Sequence, residues 1–334
     1  MPSESRFVLC APDAFKGTFR AVEVAAALVR GVEAAGLRGE ALPVADGGEG
    51  TMEALVLGLG GETCAAEVSD PLGRPVKAGF ALVEDGATGV VEMAQASGLG
   101  LVSEEERDAE AASTRGTGEL ILAALAAGAN EVVVGVGGSA TTDGGAGAIE
   151  AIEEAGGLGD ARLTVVCDVR TPFERAAEVF APQKGADEAT VKRLTKRLDD
   201  LAQRLARDPR GEPMTGCAGG LSGGLWAAFG ASLVPGAAFV LDALDFSERM
   251  RASWAVITGE GRIDNQTLQG KLLGEIATRC RQAGVPCHAV VGRSDLGAFE
   301  QRLLDIEALE EASTLEEVEA AAEKIVTGQR EPAT

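Results

Sequence analysis

The chain has 334 residues, 46% of them hydrophobic, and 52 acidic side chains against 30 basic ones give a formal net charge of −22. Charge of that sign repels nucleic acid and anionic membrane surfaces, so neither is expected as a partner, and a small anionic substrate would need local cations and a divalent metal. No run approaches the ~18 uninterrupted apolar residues of a membrane span, and the N-terminus shows no basic leader followed by an apolar block, so a cytoplasmic protein is expected. The length exceeds what one core comfortably serves, which favours two domains.

The first strand is expected over residues 6–11, and Pro12-Asp13-Ala14-Phe15-Lys16-Gly17 ends it with an acid and a lysine. Residues 21–35 read as a helix with Val22, Ala25, Val29 and Val32 on one face and Gly36 as its stop. A strand over 40–45 then runs into Asp46-Gly47-Gly48-Glu49-Gly50-Thr51 and an apolar helix over 52–57. Asp70-Pro71-Leu72-Gly73-Arg74 is a turn carrying an acid and an arginine. Further strands are expected over 89–94, 131–135, 163–167, 254–257 and 287–291, separated by alanine-rich helical patterns. That alternation argues for α/β architecture with largely parallel sheets. Residues 188–207 read as a solvated charged helix, 216–224 as a flexible or ligand-facing glycine loop, and 315–325 as a packing helix beyond which 328–334 should fray.

Three of the strand ends share one design. After the β-branched run Val132-Val133-Val134 come Gly135, Gly137, Gly138, Ser139, Thr141, Thr142, Asp143, Gly144 and Gly145, just before a helix expected over 146–155. Glycines let the backbone approach a ligand, and free N–H groups at a helix start favour phosphate or carboxylate. The segment starting at Asp46 repeats the pattern, and Thr258-Gly259-Glu260-Gly261-Arg262-Ile263-Asp264 repeats it again. Ligands of open α/β sheets bind beyond the carboxyl ends of strands, so the three turns imply one polar site.

Competing chemistries find less support. Cys10, Cys64, Cys167, Cys217, Cys280 and Cys287 include no Cys-x-x-Cys pair and read as reduced apolar fillers. His288 is the only histidine, it lies in an apolar run, and there is no tyrosine, so proton transfer falls to carboxylates or lysines. The only Gly-Lys pair, Gly270-Lys271, lacks the remainder of a Walker A motif. Gly135-x-Gly137-x-x-Ala140 fits the loose dinucleotide pattern, but the acid expected about twenty residues on is missing, since Asp168 arrives too late. A nicotinamide-dependent oxidoreductase of a small hydroxy acid therefore remains as an alternative, beside a non-catalytic sugar-acid binding protein. Cations for phosphate oxygens, carboxylates for Mg²⁺ and a carboxylate base together favour phosphoryl transfer.

Almost end to end, the chain resembles the type I glycerate kinase family, whose members move the γ-phosphoryl group of ATP to D-glycerate. The resemblance rests on the segments at 12–17, 43–51, 70–74 and 258–264 above, on Gly116-Thr117-Gly118-Glu119-Leu120, on Gly137-Gly138-Ser139-Ala140-Thr141 with Asp143-Gly144-Gly145, and on Pro182-Gln183-Lys184-Gly185-Ala186. It implies two α/β domains with the active site in the cleft between them. One is Rossmann-like and discontinuous, over residues 1–61 and 252–330, and the other is an insertion over 62–251. Two departures are a very short 156–162 stretch and an altered 170–176 segment.

ATP and Mg²⁺ are the implied cosubstrate and cofactor, and the protein is expected as a monomer or small homo-oligomer. Lys16 and Arg74 are expected to bind the glycerate carboxylate or the transferring phosphoryl group, with Asp13, Gly47 and Gly48 also at the substrate. Asp46 is the first choice for the base and Asp168 the second. Asp13, Glu49 and Asp264 are the metal candidates. Gly137, Gly138, Ser139, Thr141, Thr142, Gly144 and Lys271 are expected to hold the nucleotide's phosphates.

Overall fold

The computed structural model describes residues 7–15, 17–264 and 271–328. Its strands are β1 (Phe7–Pro12), β2 (Arg38–Ala41), β3 (Gly61–Ser69), β4 (Pro75–Val83), β5 (Thr88–Glu92), β6 (Glu131–Gly135), β7 (Arg162–Cys167), β8 (Ser232–Pro235), β9 (Ala255–Gly259), β10 (Cys287–Val291) and β11 (Ala308–Glu311). They form two sheets in two compact units, the first built from the chain up to Asp46 and again from Val240, the second from Gly47–Phe239. These borders differ from those expected near residues 61 and 251. The helix Thr51–Leu59 packs on β3, β4 and β5, and the helix Phe246–Ala252 packs on β1, which draws each across the expected line.

The first unit carries a fully parallel sheet in the order β11-β10-β9-β1-β2. Numbered within the unit this is the doubly wound order 2-1-3-4-5, whose direction reverses between β1 and β9. Side chains of a strand alternate between faces, and β10 shows the result. Val290 joins Val8, Cys10 and Ile257 in a core under the helices Ala21–Ala34 and Leu315–Gly328, while Ala289 and Val291 join a second core with Leu273 and Leu304. The two helices of the first core meet at Gly31, where a Cβ would stand 2.1 Å from the Glu319 carbonyl oxygen. Each fully buried Val or Leu in such a core contributes about 1.5–3 kcal/mol.

The second unit holds the sheet β3-β4-β5-β6-β7-β8. From β5 to β8 the pairing is parallel, but β3–β4 and β4–β5 are antiparallel. The β3–β4 hairpin differs from the sequence reading because β3 is an edge strand whose core-facing alternation, Cys64, Ala66 and Val68, is short and made of small, mostly half-buried residues. One core on this sheet gathers Val91, Val132, Val134, Val165, Leu120, Ile121, Ile152 and Leu221. A side cluster is centred on Phe173, Leu194 and Leu198, and its helix is shorter than expected, Glu188–Ala202.

The glycine segment 216–224 is a packing device rather than a flexible loop. A Cβ on Gly219 would meet the Thr141 carbonyl oxygen at 2.1 Å, and one on Gly224 would meet that of Gly144 at 2.2 Å. Its residues are buried and continue into the helix Leu221–Phe229.

Candidate functional site

In the first unit a cavity of about 440 Å³ opens at the carboxyl ends of the strands. Asp13, Ala14 and Phe15 reach it from β1, Glu260, Gly261, Arg262 and Asp264 from β9, Gly292 and Arg293 from β10, and Ala312 and Ser313 from β11. This is the reversal point between β1 and β9, where open α/β sheets place their ligands. Asp46 arrives because the chain after β2 continues along β1, with Leu42 N–H donating to the Cys10 carbonyl at 2.8 Å and Val44 N–H to that of Pro12 at 3.1 Å.

The backbone fixes these groups. Asp13 N–H donates to the Gly259 carbonyl at 2.8 Å, and the Asp13 Oδ1 accepts from Ala14 N–H at 2.7 Å. Phe15 and Phe19 exchange backbone hydrogen bonds in both directions, with their rings 6.4 Å apart. The loops after β9 and β10 are laced by Gly292 N–H to Glu260 O at 3.1 Å and Ile263 N–H to Arg293 O at 3.0 Å. A Cβ on Gly292 would stand 2.4 Å from the Gly261 carbonyl oxygen, so only glycine permits that approach. Arg262 and Arg293 both pair with Asp295, and the Arg262 guanidinium holds the Asp295 carboxyl below its usual range.

Asp13, Asp46 and Glu260 are nearly buried, and with Asp264 they face the cavity together with Lys271, Arg262 and Arg293. Carboxylate oxygens suit a hard cation, and Mg²⁺ usually takes only one or two of them beside substrate phosphates. Among the described residues no three His, Cys, Asp or Glu side chains converge as a metal site.

In the second unit two of the three glycine turns meet. A Cβ on Gly137 would stand 2.5 Å from the Gly48 Cα, and one on Gly135 would stand 3.0 Å from the Gly47 carbonyl oxygen. Gly47 itself has φ +96° and lies against Val166. The helix Thr51–Leu59 leaves this turn with its start satisfied from β5, where Glu92 Oε1 accepts Met52 N–H at 2.9 Å. Burial pushes the Glu92 carboxyl above its usual range.

Behind the second turn, the helix start that was expected to receive a phosphate is already filled. Asp143 Oδ2 accepts Thr114 N–H and Thr114 Oγ1–H at 2.8 Å and Gly147 N–H at 3.2 Å, while its Oδ1 accepts Gly145 N–H at 3.0 Å. Gly144 is likewise a packing position, its φ of +68° set against Leu201, Leu198 and Phe173. What remains open is the loop tip: Gly138 is exposed, Gly137 half-buried, and Ser139 9% exposed. Under it lies Lys184, 2% exposed, its Nζ donating to Ser139 Oγ at 2.8 Å and to the Thr141 carbonyl at 2.5 Å. Burial pushes its ammonium down to about 7, against the opposing pull of Asp143.

The sequence-derived residues therefore fall into groups. Asp13, Asp46, Asp264 and Lys271 line one cavity. Gly47, Gly48, Gly137, Gly138, Ser139, Thr141 and Thr142 belong to the paired turns of the second unit. Glu49 and Asp168 are exposed, the latter at the end of β7. Arg74 is engaged by its own unit: Nε donates to Asp70 at 2.6 Å and Nη1 to Glu106 at 2.7 Å. Lys16 lies outside the described residues. Sequence reasoning placed Glu260 in the third glycine turn and Lys184 in the segment 182–186 without giving either a role, and it passed over Glu92. Nothing local marks Lys184 as a buried lysine.

The chain is similar to known proteins of one family. A model of the glycerate kinase family matches residues 8–155 and 152–331. A glycerate kinase of Halalkalibacterium halodurans is 39% identical over 324 residues, covering 85% of each chain. The glycerate 2-kinase of Escherichia coli is 37% identical over 337 residues, covering 89% of this chain and 88% of its own. A crystal structure from Salmonella typhimurium LT2, described as that of a glycerate kinase 2, superposes with a TM-score of 0.84 at 32% identity and covers 98% of both chains. With a family match that runs through both units and relatives 37% and 39% identical over most of their length, the chain belongs to the glycerate kinase family.

Proposed function

We infer that the protein is a kinase that transfers the γ-phosphoryl group of ATP to a hydroxyl of D-glycerate, releasing ADP and a phosphoglycerate. The observation that carries the reading is the gathering of Asp13, Asp46, Asp264 and Lys271 around one cavity at the reversal point of a doubly wound sheet. Asp46 takes the proton of the attacking hydroxyl as its oxygen bonds the γ-phosphorus and the bond from that phosphorus to the bridging oxygen of ADP breaks. Asp13 holds the glycerate end in place, and Lys16 and Lys271 offset charge on the carboxylate and phosphates. Gly137, Gly138, Ser139, Thr141 and Thr142 meet the phosphates of ATP. Mg²⁺ would be held by the cavity carboxylates Asp13 and Asp264, with Glu49 a separate candidate in the second unit, and when bound it would neutralise phosphate charge.

An NADH-coupled assay of ADP release with ATP, Mg²⁺ and D-glycerate tests the reading, and an enolase-coupled step then identifies the phosphoglycerate isomer. Glycerate-dependent release is expected. Its absence from folded, Mg²⁺-supplied protein would overturn the assignment of glycerate as acceptor.

A further inference from the structure

The ammonium of Lys184 has no part in the chemistry above, yet it is buried under the one exposed tip of the glycine loop. A lysine ammonium has three donors and no acceptor, so in its contact with Ser139 the serine oxygen must accept. The serine proton is then left to be donated elsewhere, and among the described residues it meets no acceptor. The hydroxyls of Thr141 and Thr142, in the same turn, are also buried without a partner among the described residues. Buried polar groups are nearly always hydrogen-bonded, so a turn with three unspent hydroxyl protons is completed by something it binds.

We propose that Lys184 is a positioning residue that fixes Ser139 as a hydrogen-bond donor toward an anionic group of the substrate. The ligand chemistry is a phosphoryl or carboxylate oxygen, and the phosphate of ATP is the source that follows from the functional reading on which this inference rests. Lys184 acts through Ser139 and the Thr141 carbonyl, since it has almost no exposed surface of its own. The charged groups around it do not reach Ser139 in its place. Asp143 spends its oxygens on backbone N–H groups and the Thr114 hydroxyl, Arg197 donates to the Thr142 and Glu110 carbonyls, and Arg107 pairs with Glu104 through Nη1 while its Nε is buried without a partner among the described residues. The relation also has a direction in pH. A neutral Lys184 amine can accept the serine proton, which removes the donor from the ligand, and the low-lying titration of this lysine puts that change near neutrality.

Calorimetric affinities for ATP and for D-glycerate, measured separately at pH 6 and pH 8.5, test this in wild type, Ser139→Ala, Lys184→Met and the double variant. ATP affinity should fall about tenfold or more in each single variant. The double variant should be no weaker than either single one, because both remove the same donor. The ratio of wild-type to Ser139→Ala affinity should shrink toward one at pH 8.5, and ionisation of ATP itself cancels from that ratio. Loss of glycerate rather than ATP affinity, with the same coupling and pH ratio, would support the donor relation and overturn the assignment of the loop to ATP. Unchanged affinity for both ligands, multiplicative losses in the double variant, or a ratio that does not change with pH would overturn the proposal. Should Lys184→Met fail to fold, the pH dependence of the Ser139→Ala ratio decides alone.

Discussion

Gly137 and Gly48 touch backbone to backbone, and a Cβ at position 137 would come within 2.5 Å of the Gly48 Cα. No flexible side-chain end is available to yield, so Gly137→Ala must displace one turn relative to the other. Such overpacking typically costs about 1–3 kcal/mol. The variant is expected to remain folded with a lowered urea midpoint and to lose at least about tenfold in kcat/KM, because a misplacement of about 1 Å is enough to cost more than that. Wild-type kinetics in Gly137→Ala would show that the contact between the turns is structural alone.

Asp46 and Asp168 were the two choices for the base, and they occupy different surroundings. Asp46 is 6% exposed at the cavity, whereas Asp168 stands exposed at the end of β7. Asp46→Asn keeps the volume and should leave the melting temperature nearly unchanged while lowering kcat by about 10²–10⁴. Asp168→Asn should stay within about threefold of wild type, in keeping with an exposed group outside the proton path. The reverse ordering of the two losses would move the base role to Asp168.

Asp143 is expected to matter first for stability. It is 6% exposed and accepts hydrogen bonds from three backbone N–H groups and from the Thr114 hydroxyl, joining the starts of the helices Arg115–Ala126 and Ala146–Glu154. Removing such an acceptor leaves buried donors unsatisfied, at about 1–3 kcal/mol each before relaxation. Asp143→Ala should therefore lose about 3 kcal/mol or more in urea unfolding. A loss under about 1 kcal/mol would mean that water takes over the carboxylate's role.

Much of this was readable in the residues, and the exceptions have physical causes. The strands β1, β6, β7 and β10 announce themselves because each is buried and rich in β-branched or apolar side chains. The edge strand β3 and the short β8 and β11 do not: the alternation of Cys64, Ala66 and Val68 in β3 is carried by small residues, and β8 and β11 are four residues each with no fully buried position. The glycine turns were legible as strand-end features, and two of them do meet in the second unit. Which acid in a turn faces a cavity and which caps a helix depends on elements distant in sequence: Asp143 is claimed by Thr114, and Glu92 by Met52. The segment 182–186 was legible as a motif, but the burial of its Lys184 was not, since that comes from packing that no local spacing encodes.

Glu92 makes stability depend on pH in a direction opposite to that of an ordinary ion-paired carboxylate. Burial is the largest influence on it and raises its pKa, the N–H groups of Met52 and Gly50 oppose that, and nearby Glu49 raises it further. In the unfolded chain a glutamate titrates near its ordinary value of about 4.3. A group whose folded pKa lies above its unfolded one contributes stability that is complete below the unfolded value and is lost as pH rises through the folded value. Glu92→Gln keeps an acceptor for Met52 N–H but cannot ionise, so it lacks this dependence. The unfolding free energy of wild type minus that of Glu92→Gln should fall from pH 4.5 upward and level off above the raised pKa, by about 1.4 kcal/mol for every tenfold difference in acid strength between the unfolded and folded chain. Urea unfolding of both proteins at pH 4.5, 5.5, 6.5 and 7.5 reads the difference directly. A difference that rises with pH would mean that the two N–H groups outweigh burial, and that the ionised carboxylate is the form the helix start is built to hold.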